Sequence, residues 1–575
     1  MRRVLQTLCG LILLAAAMPL TAQQSGDFSY ASDGTSITIT RYNGNGGLVT
    51  IPGMIEGLPV TNIGERAFAL CPYITQLTLP DSITSIGTKA FELANLLSMT
   101  IPDTVTSIGF EAFSYCRTLG TVTIGNGVTN IGDWAFDTCT SLTNVAIGSS
   151  VTSLGEYAFY ECTSLSCVTI PDGATSIGGG AFAGCISLTN IVIGNGVLDI
   201  GGSAFSRCTS LTTITIPSSV ASIGVGAFNR CTSLTNITIP HSVTNIGIQA
   251  FYDCTSLTAI EVDVENPAYS SADGVLFNKS QTVLITYPAG KAGDYTIPTS
   301  VTSIGRGAFY RCTRLTSVVI PDGVTDIGYY AFHGCTSLTS VAIPNSVSTI
   351  EYQAFEGCTG LASITIPNSV TYIGGWAFAQ CTNLQSVIIP GSVTTIERGT
   401  FYACLGLTNV TIGRGVRIIG EEAFKVCLSL TNVTIPAGTG IGWLAFDTCL
   451  NLTGVFFEGD APGVAPDAFL GDTKATAFYL PGTTGWGPTF GGLPTAPWVL
   501  ANPLILTTPP SFGVRTNQFG FIISWATNAS VVVEACADLA LPDWSPVGTN
   551  TLAEGWSYFS DPEWTNDRFY RLRSP

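Results

Sequence analysis

The sequence predicts a solenoid. It should stack 23-residue coils into a continuous parallel β-sheet with short helical turns, and end in a small C-terminal all-β module. Three observations predict this. A Phe recurs at 68, 91, 113, 136, 159, 182, 205, 228 and 251, then at 309, 332, 355, 378, 401, 424, 446 and 469, with a spacing of 23 that drops to 22 twice. Fifteen of the 18 cysteines fall three residues after one of these Phe residues. Each unit closes on Leu-x-x-Val-x-Ile-Pro, whose alternation is that of a strand with one buried face. A chain of 575 residues would otherwise suggest three or four domains, but a fixed period of this size overrides that prior.

The elements follow in order. Residues 1–22 read as a secretory signal: Arg2 and Arg3 begin it, Leu11 to Ala17 form its apolar run, and Leu20-Thr21-Ala22 supplies a small-residue cleavage site. Residues 26–66 are expected to cap the first open edge. The solenoid then runs over 67–490, with a hairpin insertion at about 263–297 accounting for the 58-residue gap between Phe251 and Phe309. In that hairpin VLFN and VLITYP pair around Lys279-Ser280-Gln281-Thr282, and Asp273-Gly274 is a turn. Within a coil, Ile-Gly-x-x-Ala-Phe-x-x-Cys has helical-turn spacing but is too short for a free helix. Pro then stops strand pairing, having no N–H to give. One coil buries too few side chains to offset the ordering of 23 residues, so coils must stack. Residues 491–510 are expected as a Pro/Gly-rich linker. The apolar runs GFIISWA and SVVVEACA, with WSYFSD and RFYRLRSP, make 511–575 a small sandwich-like β module.

The repeat itself, L-T-x-V-T-I-P-x-S-V-T-x-I-G-x-x-A-F-x-x-C-T-S, resembles the leucine-rich repeat of BspA-like bacterial surface proteins over about residues 28–490. DGTSITIT at 33–40 with VTIP at 49–52, and the interruption at 266–288, are similar to that family too. The resemblance implies surface exposure, adhesion and protein binding. The C-terminal module is similar to short modules ending in F-Y-R-L/V on secreted bacterial proteins. This similarity implies a sorting or attachment role, and a plain globular appendage is the alternative.

Charge and chemistry narrow the function. The chain carries 22 Lys+Arg against 39 Asp+Glu, a net charge of −17, and its pI is near 4.4. Nucleic acid and anionic membrane as partners call for a basic face, and no Lys/Arg cluster provides one. After Ala22 no apolar run is long enough to cross a bilayer, so no membrane insertion is expected once the signal is cleaved. The cysteine column reads as small buried hydrophobes, because stacked equivalents have parallel Cβ vectors and a disulfide needs them tilted together. Ala94 at the column position of the second coil agrees with this. Cys162 with Cys167 is the one off-pattern pair whose bridging the spacing leaves open, and Cys536 stands alone in the tail. The two histidines, His241 and His333, sit at non-equivalent repeat positions, so neither a metal site nor a cofactor is expected. His333 is expected to face solvent. Glu421-Glu422 falls where charge serves solubility, and no nucleophile–base pairing is evident, so no enzyme is expected.

The outward row of the strand is the expected binding surface. Its members include Thr169, Val192, Thr215, Thr238, Val319, Thr365, Ile388 and Thr411, with Phe456 as a further exposed apolar point. Such a neutral, hydroxyl-rich face suits many weak contacts, with the apolar members as anchors. The same threonines also simply suit an exposed strand. The expected function is extracellular or cell-surface macromolecular recognition or adhesion without catalysis. The partner would be a protein or a glycan on a cell surface or matrix, and the alternatives are carbohydrate or matrix binding and a rigid structural spacer.

Overall fold

The computed structural model describes residues 23–498 and, beyond them, 504–506, 512–515, 518–524, 529–539, 543–553, 556–565 and 568–573. The expected signal segment 1–22 lies outside the described residues. The chain divides into two compact units between Phe251 and Tyr252.

In the first unit the coils build two parallel ladders, where the sequence reading foresaw one sheet, and the outer ladder ends at Asn190–Val192 because residues 211–217 of the next coil form no strand. One ladder runs through Ser107–Ile108, Asn130–Ile131, Ser153–Leu154 and Ser176–Ile177, with Ile opposite Ile or Leu at each step. The other runs through Ser98–Ile101, Thr121–Ile124, Asn144–Ala146, Cys167–Thr169 and Asn190–Val192. In Thr121–Ile124 the residues Val122 and Ile124 point inward while Thr121 and Thr123 face water. This alternation fixes the register, since a one-residue slip would turn Val and Ile outward.

The segment around each Phe is a run of single turns, and no helix occurs among the described residues. The expected short helical turns are therefore corrected, and the backbone shows why. In the Phe113 coil, Glu111 and Tyr115 have φ of 51° and 60°, left-handed values that end each turn before it can propagate. The N–H groups of Ala112, Ser114 and Cys116 close turns onto Gly109, Glu111 and Phe113. The alternate N–H groups of Glu111, Phe113 and Tyr115 reach the carbonyls of Asp133, Ala135 and Asp137 in the next coil at 3.0, 2.7 and 2.7 Å. The left-handed residues thus swing every second N–H along the stacking direction, and these bonds hold them in a conformation that costs on the order of 1–2 kcal/mol each.

Inside lie two side-chain columns. Phe113, Phe136, Phe159 and Phe182 are fully buried, and successive rings stack 4.9–5.3 Å apart and 3–4° from parallel. Beside them the thiols of these coils point at the carbonyl of the Phe one coil back: Cys139 Sγ lies 3.2 Å from Phe113 O, and Cys162 Sγ 3.1 Å from Phe136 O. The S–H is thus a second donor to a carbonyl that already accepts the turn N–H of the Cys in its own coil, as Phe113 O does from Cys116 at 3.2 Å. Every described cysteine is unbridged, and Cys162 is buried while Cys167 is exposed on the outer face. At the start of the unit, Phe28–Ser32 pairs antiparallel with Ile37–Tyr42, which leads in parallel into Leu58–Ile63. The Tyr42 ring stacks on Phe68 at 5.5 Å and closes the column.

The second unit repeats the plan. The insertion forms Tyr269–Ala272, Val275–Asn278 and Val283–Thr286, antiparallel in sequence. Asp273 and Gly274 make the turn at φ 51° and 71°, the pair of left-handed residues that a two-residue hairpin requires. Val283–Thr286 then runs parallel to Ser303–Ile304, and Gly293–Thr296 parallel to Leu315–Val319, so the insertion starts both ladders of this unit. The expected linker 491–510 is in part structured: Leu493–Pro497 pairs parallel with Thr476–Tyr479, and Leu504–Leu506 pairs with Gln518–Ser524 of the terminal module. That module is all-β. Phe521 and Ile523 of one of its sheets and Val531 and Val533 of the other share a core, and Leu480 of the solenoid packs with Leu506 and Ile522.

Candidate docking face

The strand pattern that buries Val and Ile leaves the alternate residues outside. Thr169, Val192, Thr215 and Thr238 are all exposed in the first unit, and Val319, Thr365, Ile388 and Thr411 in the second. Val192, Val319 and Ile388 are 50, 54 and 63% exposed, high for β-branched apolar side chains. In the first unit Thr169 lies directly opposite Val192. In the second unit the register sets Val319, Ala342, Thr365, Ile388 and Thr411 side by side along one row. The row beside it holds Ser340, Ser363, Ser386 and Asn409. These two rows carry no ionisable side chain. At their start stands Asp294, whose carboxylate accepts hydrogen bonds of 2.7 Å from the hydroxyls of Thr316 and Ser317. The two bonds, Ser317 first, hold its pKa below the ordinary value.

Two expected positions are corrected. Phe456 is half-buried, with Phe478 stacked on it at 4.9 Å and Trp498 at 5.0 Å, so neighbouring aromatics cover it. His333 is largely covered: its ring stacks on Tyr310 at 5.0 Å, and Nδ1 lies 3.3 Å from a Glu356 carboxylate oxygen.

A second surface was missed. Tyr329, Tyr352 and Tyr372 are 46, 37 and 41% exposed near the turn edge of the second unit, and the Arg306 guanidinium sits 5.5 Å from the Tyr330 ring centre. These residues stand at repeat positions that other coils fill with unrelated side chains, so periodicity carried no signal for them.

The chemistry of the remaining groups is quiet. Glu421 and Glu422 are both paired with Arg398 at 3.2 Å, and Lys425 also contacts Glu422 at 3.2 Å. Among the described residues no three His, Cys, Asp or Glu side chains converge as metal ligands. Burial pushes the Cys208, Cys358 and Cys381 thiols well up, and those of Cys116 and Cys404 to about 12. Alkylation of the folded protein at pH 8 should therefore modify Cys167 first and the half-buried Cys71 more slowly. The column thiols should react only in denaturant. Peptide mass mapping reads this, and rapid native labelling of Cys381 would contradict the buried column.

The family model described as the BspA type leucine rich repeat region matches residues 61–186, 152–283, 287–408 and 394–484. Among solved structures, a leucine rich cell surface protein from Faecalibacterium prausnitzii is 34% identical over 69% of this chain and 96% of its own, with a TM-score of 0.50. A leucine-rich repeat protein from Bacteroides ovatus is 25% identical over 76% of this chain and 94% of its own, with a TM-score of 0.45. One from Eubacterium ventriosum is 24% identical over 74% and 93%, with a TM-score of 0.41. No curated protein matches the sequence.

Proposed function

We propose, from the premise that the chain belongs to the BspA-type leucine-rich-repeat family, that it is an exported recognition or adhesion protein that holds macromolecular partners on its outer strand faces and carries out no chemistry. The observation that carries this reading is the uncharged row from Val319 to Thr411, with Ile388 63% exposed between Thr365 and Thr411. An apolar side chain that far out of the core gains nothing from folding and is the kind of contact that dominates an interface. The Faecalibacterium relative, a cell surface protein, supports the compartment. Export through residues 1–22 belongs to the same proposal.

Ser363, Ser386, Thr365 and Thr411 around Ile388 favour one second reading, a neutral saccharide bound through hydroxyls. One experiment tests both. The purified chain is applied to a glycan array and to a panel of extracellular-matrix proteins, beside the variant Val192→Glu/Val319→Glu/Ile388→Glu. The triple variant should fold, because all three positions lie outside the core, and should bind at least tenfold more weakly, since each glutamate adds a desolvation penalty at an apolar contact. Undiminished binding by the folded variant would remove these faces from consideration. Signal on glycans alone would favour the second reading.

A further inference from the structure

The cysteine column of the second unit ends on a different residue. Counting three from Phe469 arrives at Asp472, which takes the place held by Cys449 one coil earlier. Its residue surface is only 3% exposed, and neither carboxyl oxygen has a hydrogen-bond partner among the described residues. A thiol is at ease there, because it gives its one hydrogen to a backbone carbonyl, as Cys449 does to Phe424 at 3.2 Å. A carboxylate has no hydrogen to give and sheds its hydration for nothing.

The charged groups around it offer no relief. Asp447, one coil back, is held by Lys425 at 3.3 Å and adds like charge. Asp467, on the same coil, is exposed and also acidic. Lys474 turns away to Asn451 at 3.3 Å. The Cys449 N–H, the one neighbour that favours the ionised form, is already bonded to the Phe446 carbonyl at 3.2 Å. Burial first, then Asp447, pushes the carboxyl up to about 8 from an ordinary 3.8.

This coil is held through Phe469, stacked against Phe446 at 5.4 Å, through the N–H groups of Phe446 and Thr448, which reach Ala468 and Leu470, and through Thr476–Tyr479, which pairs parallel with Gly454–Phe457. An open cavity of about 610 Å³, lined by Val464, Phe469, Leu470 and Leu493 among others, undercuts it.

We propose that Asp472 makes residues 464–493 a proton-dependent cap, seated while its carboxyl is neutral and loosened when that carboxyl ionises. The sign follows from linkage. A released cap exposes the carboxyl, which then ionises near its ordinary value. The seated cap keeps the proton up to about 8. Across that window the released state binds fewer protons, so seating weakens as pH rises, about tenfold per pH unit, and levels off above it.

Hydrogen exchange of the full chain at pH 5, 6 and 7, expressed as protection factors to remove the intrinsic pH effect, tests this. Peptides within 464–493 should lose about a hundredfold in protection from pH 5 to 7, while those spanning Phe355 and Phe378 stay constant. Asp472→Asn, neutral and of the same shape, should abolish the pH dependence. Asp472→Cys, which restores the column residue, should do the same should the amide disturb folding. A flat wild-type profile, or an equal fall in the Asn or Cys variant, overturns the proposal.

Discussion

Phe355→Ala is expected to cost the second unit about 3–5 kcal/mol, the range for emptying a fully buried aromatic site. Phe355 has no exposed surface, and its ring lies between Phe332 at 5.0 Å and Phe378 at 5.3 Å, nearly parallel to both. Each stack adds on the order of 0.5–1.5 kcal/mol beyond burial, so one truncation breaks two stacks as well as opening a cavity. The neighbours cannot close in, because ladder hydrogen bonds on either side fix the coil spacing. Each coil contacts only its neighbours, so the damage should also weaken the coupling between the coils before and after Phe355. Urea denaturation followed by circular dichroism reads both the fall in midpoint and a broader transition. A loss under about 1 kcal/mol would show that the aromatic column is not what joins the coils.

Gly127→Ala should be nearly as severe, although it adds a single carbon. A Cβ built there falls 1.8 Å from the backbone carbonyl oxygen of Asp103, one coil back. No rotamer change can move a Cβ, so the coils must part. Overpacking of this kind costs about 3 kcal/mol. Gly120→Ala is the control within the same unit, since its Cβ would meet Leu97 O at an ordinary 3.4 Å, and it should shift stability by no more than about 0.5 kcal/mol. Comparable thermal midpoints for the two variants would refute the close approach.

The stacked coils, the hairpin insertion and the outward rows were all legible because they are written in period. Val122 and Ile124 repeat as Val145 in the next coil and Val168 in the one after, and the alternation assigns their faces. What escaped reading lies where a position is filled differently each time. The left-handed sites hold Arg66, Lys89, Glu111, Trp134 and Tyr157 in successive coils and glycine only in some, at Gly180, Gly226, Gly307 and Gly399, so no constant glycine marks the position and helical-turn spacing was the natural inference. Asp472 was invisible for the same reason: a single departure in a column of cysteines looks like drift until its burial is known. The cover over Phe456 comes from Phe478 and Trp498, which lie beyond the regular repeat. His333 is shielded through Tyr310 and Glu356, whose proximity needs the stacking geometry.

The columns carry a consequence for descent. Phe332 meets Phe355 much as Phe355 meets Phe378, and Cys358 leans on the Phe332 carbonyl at 3.1 Å as Cys381 leans on that of Phe355 at 3.3 Å. Excising any one such 23-residue block rejoins surfaces that already fit each other, and duplicating one creates no unfamiliar junction. Array length is therefore a character that unequal recombination can lengthen or shorten in whole steps, with each step handed to selection already folded.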